Sequence, residues 1–281
     1  MKSRGQPVLV WIKGGGDLAT GVAHRLHRAG LHVVITELPQ PLVVRRAVAF
    51  ASAVCAGRIV LEGVEARLAA DQAEAQGLLA QRIVPVLVDP RGAIIRNLHP
   101  DVTVDARMAK RNLDTARNEA SVVIGLGPGF VAGEDVHAVI ETARGHDLGR
   151  VILHGGATPD THIPGLVQGY GPERLLRAPC VGVFHGHRRI GDLVQSGEII
   201  ADVDGRPVIA SLSGVVRGLL TDGLPVQQGL KIGDIDPRGL VEQCFTISDK
   251  ARAVGGGVLE AVLYLGRKWW SASHHLTTSA T

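Results

Sequence analysis

Cysteine occurs only three times in the 281 residues, at Cys55, Cys180 and Cys244, with no C-x-x-C pair. An odd, scattered set excludes a disulfide framework and a cysteine-rich zinc site, and it fits a reducing cytoplasm, the expected location. Aromatic residues make up 3% of the chain. That argues against single-strand nucleic-acid binding, which stacks bases on aromatic rings. A formal charge of +3 without a long Lys/Arg run gives no reason to expect a nucleic-acid partner. No apolar stretch reaches the ~18 residues of a membrane span, and residues 1–7 are polar and short for a signal peptide. Also missing are a G-x-S-x-G elbow, an H-E-x-x-H pair and a Walker lysine motif. Glycine, in contrast, is abundant at 36 residues, without the three-residue period of collagen. With 45% hydrophobic and 20% charged residues the chain has material for a packed core and is not disordered in bulk.

The first half alternates strand and helix patterns. Residues 8–12 form a short apolar run that stops at Lys13 and at Gly14, Gly15 and Gly16. Leu18, Val22 and Leu26 then recur at helical spacing up to Gly30, and 31–35 is a second strand ending at Thr36 and Glu37. Strand, glycine turn, helix and strand imply two parallel strands joined by a right-handed crossover. Further helices are expected over 43–55, 64–81 and 135–143, with strands over 83–88, 102–104, 122–124 and 151–153. Six strands alternating with helices predict a Rossmann-like, mostly parallel sheet.

Gly14, Gly15, Gly16, Asp17, Leu18 and Ala19 match G-x-G-x-x-G/A between a strand and a helix. Gly14 would permit the tight turn, Gly16 the approach of backbone to an anion, and Ala19 the packing of helix on sheet. Free N–H groups and the helix dipole favour a phosphate there. Glu37 lies 21 residues after Gly16, where an acidic group can accept hydrogen bonds from ribose hydroxyls. Arg45 and Arg46 follow it, placed either to hold a second phosphate or on a solvated helix face. Ligands of such sheets bind beyond the carboxyl ends of the strands. Topology therefore predicts that Gly14 to Ala19, Glu37, the segment Asp105, Ala106 and Arg107, and the second turn with Gly125, Gly127, Pro128 and Gly129 converge on one crevice.

The second half repeats at an offset of 32 residues. GDLVQSGEIIADVDGR (191–206) and GLPVQQGLKIGDIDPR (223–238) are identical at eight of sixteen positions. The units are short strands broken by turns, and each is too small to bury a core alone, so the halves should interlock. They resemble the barrel-sandwich hybrid of biotinyl and lipoyl carriers. No lysine occurs between Lys110 and Lys231, so a swinging cofactor arm is not expected. Ser248 is a good N-cap for a returning helix. Gly255, Gly256 and Gly257 interrupt that helix at a cost of roughly 3 kcal/mol relative to alanine, offset by close packing or by N–H groups serving a ligand. The expected organisation is a Rossmann-like domain over 1–155, a β-rich barrel-sandwich-like domain over 156–245, a returning helix over 246–265 and a disordered polar tail over 266–281.

Candidate chemistry is sparse. His137 and Glu141 are four apart on the expected helix over 135–143 but lack a third ligand, and no metal site is expected. His185 and His187 share one side of a strand and read as an exposed turn. The cysteines read as buried thiols rather than sulfur or selenium acceptors. No catalytic set stands out; the residues mark a binding crevice more than a turnover centre.

Several stretches carry a family resemblance: GGGDLATGVAHRL (14–26), VDARMAKRN (104–112), IGLGPGF (124–130), DVHAVIET (135–142), KIGDIDPR (231–238) and SDKARAVGGGVLEA (248–261). Together, over about residues 8–265, they resemble the selenium-dependent molybdenum hydroxylase accessory proteins, related in role to xanthine dehydrogenase maturation proteins. The resemblance implies a maturation factor that handles the molybdenum cofactor, in sulfurated or selenated form, before insertion into the apoenzyme. Its implied partners are a molybdenum hydroxylase apoenzyme and a sulfur- or selenium-transfer protein, and a homodimer is compatible with the chain. It also implies that Gly14 to Leu18 and Gly125 to Gly129 bind the anion. The alternative from the fingerprint alone is an NAD(P)-dependent oxidoreductase with a nucleotide cofactor.

Overall fold

A computed structural model describes residues 7–161 and 164–270. The chain opens with β1 (Leu9–Lys13), α1 (Asp17–Arg28) and β2 (His32–Glu37), as the glycine and periodicity signals predict. Next come α2 (Ala53–Ala56), β3 (Arg58–Leu61), β4 (Val64–Ala69), α3 (Gln72–Ala80), β5 (Val84–Val88) and α4 (Ala93–Arg96). Strands β6 (Val102–Asp105), β7 (Val122–Leu126), β8 (Ala138–Ile140) and β9 (Val151–Ile152) complete a nine-stranded sheet of order β3-β4-β5-β2-β1-β6-β7-β8-β9. Strands β4 to β8 run parallel through the middle, while β3 and β9 pair antiparallel at the edges. The architecture is mixed α/β on a large mixed sheet.

Alternation along β1 places the two faces. Val10 and Ile12 pack with Val22 and Leu26 of α1 on one side. Leu9 and Trp11 pack with Leu78, Leu87 and Ile95 on the other. The sheet is thus covered on both faces, which is why its central strands are apolar throughout.

Three expected helices are corrected. Over 43–55 the chain makes short 3₁₀ turns and the four-residue α2, because the second part of the chain holds it extended: Leu219 N–H donates to the Val44 carbonyl at 2.8 Å. Over 64–81 the first six residues are β4. Glu62 and Gly63 take positive φ and turn β3 back onto β4, so Val64 and Ala66 alternate inward. The helix starts later, where Asp71 accepts from the Glu74 N–H and Glu74 from the Ala70 N–H. Over 135–143 there is no helix. His137 donates its N–H to Val123 O and takes the Val123 N–H on Nδ1, which draws the segment beside β7 as β8.

The second part holds β10 (Leu175–Arg177), β11 (Gly182–Gly186), β12 (Leu193–Val194), β13 (Ile199–Val203), β14 (Arg206–Ile209), β15 (Gly214–Leu219), β16 (Pro225–Val226) and β17 (Lys231–Asp236). They form two four-stranded sheets, β10-β17-β15-β12 and β14-β13-β11-β16. An offset of 32 residues maps β10, β11, β12 and β13 onto β14, β15, β16 and β17, and so maps one sheet onto the other. The repeat is longer than 191–206 suggests: Ala178, Gly182, Val183 and Gly186 recur as Ala210, Gly214, Val215 and Gly218. Each sheet takes two strands from each unit. The halves therefore interlock, around Phe184, Ile200, Val216 and Ile235.

Helix α5 (Asp249–Leu265), capped by the Ser248 side chain, returns to pack along α1. A short α6 (Arg267–Trp270) follows, so the expected disordered tail is corrected at its start; the rest of it, 271–281, lies outside the described residues. A Cβ on Gly21 would lie 2.5 Å from Ala251 O, one on Gly255 would lie 2.7 Å from Gly21 O, and one on Gly257 would overlap the Gly149 carbonyl. Gly256 faces open space. Close backbone packing thus accounts for two of the three glycines. Gly21→Ala and Gly257→Ala should each lower stability by about 1–3 kcal/mol through overpacking, whereas Gly256→Ala should raise it by up to ~1 kcal/mol. Urea unfolding of the three variants measures this contrast.

Candidate functional site

Strand β1 sends its chain toward β2 on one side, while the chain from β5 crosses back to β6 on the other. At such a switch point the loops part and leave a crevice beyond the strand ends. A crevice of about 680 Å³ opens there, with Gly14, Gly16, Asp17, Leu18 and Ala19 among its lining residues.

The floor is the first turn. Gly14 has φ +86°, and a Cβ there would stand 3.3 Å from Arg107 Cα. Gly15 donates its N–H to Glu37 Oε2 at 2.7 Å, and Glu37 Oε1 takes the Leu38 N–H at 2.7 Å. Glu37 is thus a backbone clamp on the turn as well as a lining residue. Gly16 precedes α1, and no side chain caps the helix. The first-turn amides of α1 therefore stand at the crevice without a side-chain acceptor.

The cations of the crevice fall into two groups. Lys13, buried at the end of β1, bonds Glu119 and Thr115 Oγ1 at 2.8 Å and lies 4.8 Å over the Trp11 ring. Arg107 pairs with Asp105 and Asp114, each at 2.6 Å. Burial alone would lower the Arg107 guanidinium, but the hydrogen bonds from these carboxylates hold it charged. The Asp114 carboxyl is held low by Arg107, against partial burial, with help from Lys13. These groups form one satisfied network. Arg91 and Arg96 differ. Neither has a carboxylate partner among the described residues; Arg96 donates to the Arg91 carbonyl and lies 5.8 Å from the Trp11 ring. Lys231 reaches the crevice from β17 with Asp234 4.0 Å away. The apolar lining is Leu38, Leu42 and Leu113, all about half exposed.

Of the residues expected to converge, Gly14, Gly16, Asp17, Leu18, Ala19, Glu37, Ala106 and Arg107 line the crevice. Gly15 sits behind it, where a Cβ would meet Ala51 N at 2.8 Å, and Asp105 is buried beneath Arg107. Gly125, Gly127, Pro128 and Gly129 are not among the lining residues. Phe130 covers Gly125, Thr142 Oγ1 closes on Gly127, and the backbone of Arg111 packs on Gly129. Arg45 is no solvated-face residue: it bonds Asp17 and Gln243 O at 3.3 Å and lines the crevice, while Arg46 bonds Leu219 O at 3.0 Å. Lys13, Trp11, Asp114, Arg91, Arg96 and Lys231 were not expected. The one sequence signal for them is Lys13, a charge closing an apolar strand before a glycine turn.

The remaining candidates separate. Glu141 is buried and takes hydrogen bonds from Ala143 N–H and from the N–H and hydroxyl of Thr158. Burial alone would raise its carboxyl, but those bonds lower it. His187 pairs with Asp202 at 2.8 Å and His185 lies 3.6 Å from Asp222, both half exposed. Cys55 is exposed, Cys180 half buried and Cys244 buried, all free. Among the described residues no group of three His, Cys, Asp or Glu could hold a metal ion, and no helix is long and apolar enough to cross a membrane.

No family model matches the chain. It is 51% identical over 257 residues, 92% of its length, to the Uncharacterized protein YqeB of Escherichia coli, and it spans about half (48%) of that relative. Among solved structures it is similar to an aspartoacylase family protein from Mesorhizobium loti, at 12% identity, 83% of this chain, 86% of that one and a TM-score of 0.27. It is similar too to a succinylglutamate desuccinylase/aspartoacylase from Rhodobacter sphaeroides, at 13% identity, 82% and 85% coverage and a TM-score of 0.24. At these scores no activity carries over to this chain. The sequence-based identification is nonetheless corrected. The relatives found are YqeB and aspartoacylase-type proteins, not molybdenum hydroxylase accessory proteins. The maturation role, its selenium chemistry, its apoenzyme partner and the NAD(P) oxidoreductase alternative fall with it.

One electrostatic feature beside the crevice is testable by pH. Asp236 is buried and bonds Arg217 at 2.9 Å and Arg238 at 2.6 Å. Burial alone would raise its carboxyl, but the Arg238 bonds and the charges of Arg217 and Arg238 hold it at about 2. A carboxyl depressed in the folded state stabilises fully above its ordinary value near ~4, and that stability is lost as pH falls toward the folded value. The urea midpoint of the wild type should therefore drop between pH 4 and 2, and Asp236→Asn should drop less over the same range.

Proposed function

We propose that the crevice binds a small phosphate-bearing ligand of the nucleotide class. The carrying observation is the uncapped start of α1 on the crevice floor, with Arg91 and Arg96 on the wall without carboxylate partners. Helix-start amides and unneutralised guanidinium groups both select an anion, and the arginine fork suits phosphate oxygens. Leu38, Leu42, Leu113 and the aliphatic part of Met108 offer an apolar wall for a flat ring. We read the first part, 1–155, as a Rossmann-like unit and 156–245 as a barrel-sandwich-hybrid-like unit that contributes Lys231 to the site, with 246–265 as the returning helix. The reading is one of binding and assigns no reaction.

Titration calorimetry with a nucleoside diphosphate should give saturable binding that weakens with added salt. Gly16→Glu places a carboxylate in open space at the floor, and it should weaken the affinity tenfold or more, about 1.4 kcal/mol. If no nucleotide or phosphate binds the wild type, or Gly16→Glu binds as tightly as the wild type, the proposal is wrong.

A further inference from the structure

The two β units of the second part are alike except at one point. In the first, β11 runs in unbroken register with β13: Phe184, His185 and Gly186 face Val203, Asp202 and Ala201. In the second, β15 shifts register against β17 between Val216 and Gly218, which leaves Arg217 as an extra residue. A bulge of this kind re-aims a side chain. His185, the repeat equivalent of Arg217, is half exposed. Arg217 is turned inward and is 9% exposed.

The bulge brings Arg217 to the crevice rim. Gly218 lies so close to the segment before α2 that a Cβ would stand 2.7 Å from Val44 Cγ1, and Leu219 N–H bonds Val44 O. The next residue is Arg45, which lines the crevice. Both guanidinium groups are therefore brought to one junction. Burial lowers Arg217 most, and the charge of Arg45 lowers it next. Each keeps a buried Nε with no hydrogen-bond partner among the described residues. Their carboxylates are shared: Asp236 is divided between Arg217 and Arg238, and Asp17 lies 3.3 Å from Arg45. Three arginines thus face two carboxylates here. Burying like charges with orphaned donors is costly unless an anion completes them.

We propose that Arg45 and Arg217 form a second anion site, distinct from the glycine turn, which takes a phosphate-type dianion. The site goes beyond the reading of the crevice and stands on different residues. With both sites filled the ligand carries two separated anionic groups, one held by each part of the chain.

The probe is inorganic phosphate, titrated by calorimetry into wild type, Arg217→Met and Gly16→Glu. Two phosphates should bind the wild type and one should bind each variant, with at least a tenfold loss at the deleted site. Asp236 keeps Arg238 in Arg217→Met, so the empty variant should melt no lower than the wild type while losing the stabilisation phosphate gives at this site. A single wild-type site, kept by Arg217→Met and lost in Gly16→Glu, overturns the arginine site and leaves the crevice reading standing. A single site lost in Arg217→Met and kept by Gly16→Glu does the reverse. No phosphate bound to any of the three overturns both. Arg217→Lys, which keeps the charge, should retain part of the affinity; an empty Arg217→Met that melts well below the wild type, with its phosphate stoichiometry unchanged, marks a purely structural arginine.

Discussion

The contact of α1 with α5, backbone against backbone, fixes much of the molecule. Gly21 and Gly255 remove the side chains that would hold the helices apart, and Gly149 and Gly257 do the same at the next contact. A helix held this way has little freedom to slide, because interior packing is dense and resists small shifts. The start of α1 is placed as a result, and with it the turn at Gly14 to Gly16. Helix α5 comes more than two hundred residues later, so the ordering of this floor waits on a distant part of the chain.

Charge in the crevice is divided by what holds it. Lys13 and Arg107 sit among Asp105, Asp114, Thr115 and Glu119, and their bonds tie the loop after β6 to the end of β1. Such a network gives shape and has little left to offer a ligand. Arg91 and Arg96 follow β5 on a turn shaped by Gly92, whose positive φ lets the chain pass the Trp11 ring. They are the groups free to respond to an incoming anion. Structure and availability are thus assigned to different cations within one space.

How much of this was legible follows from which signals were local. The strand, turn and helix around Gly14 to Ala19 could be read because the apolar run, the glycines and the helical period lie in one short window. The stretch 64–81 could not, since Val64, Leu68 and Leu78 fit a helical period as well as a strand; only the turn at Glu62 and Gly63 and the box at Asp71 and Glu74 separate the two. The strand β8 was hidden because its partner, not its own pattern, makes it a strand. At the site, the clamp by Glu37, the seclusion of Gly125 to Gly129 and the burial of Lys13 all arise from contacts between distant segments. The repeat disclosed the symmetry of the second part, whereas the bulge at Arg217 leaves no mark in the spacing, which stays at 32 residues.

The exchange of strands between the two β units has a consequence for how such a structure can exist in pieces. A single unit, β10 to β13, supplies half of each sheet and leaves both with open edges. Cut free, it could close those edges only by pairing with a copy of itself about a two-fold axis. Joining two copies in one polypeptide replaces that concentration-dependent encounter with an intramolecular one. It also frees the copies to diverge, so that one can keep a histidine facing water while the other turns an arginine inward.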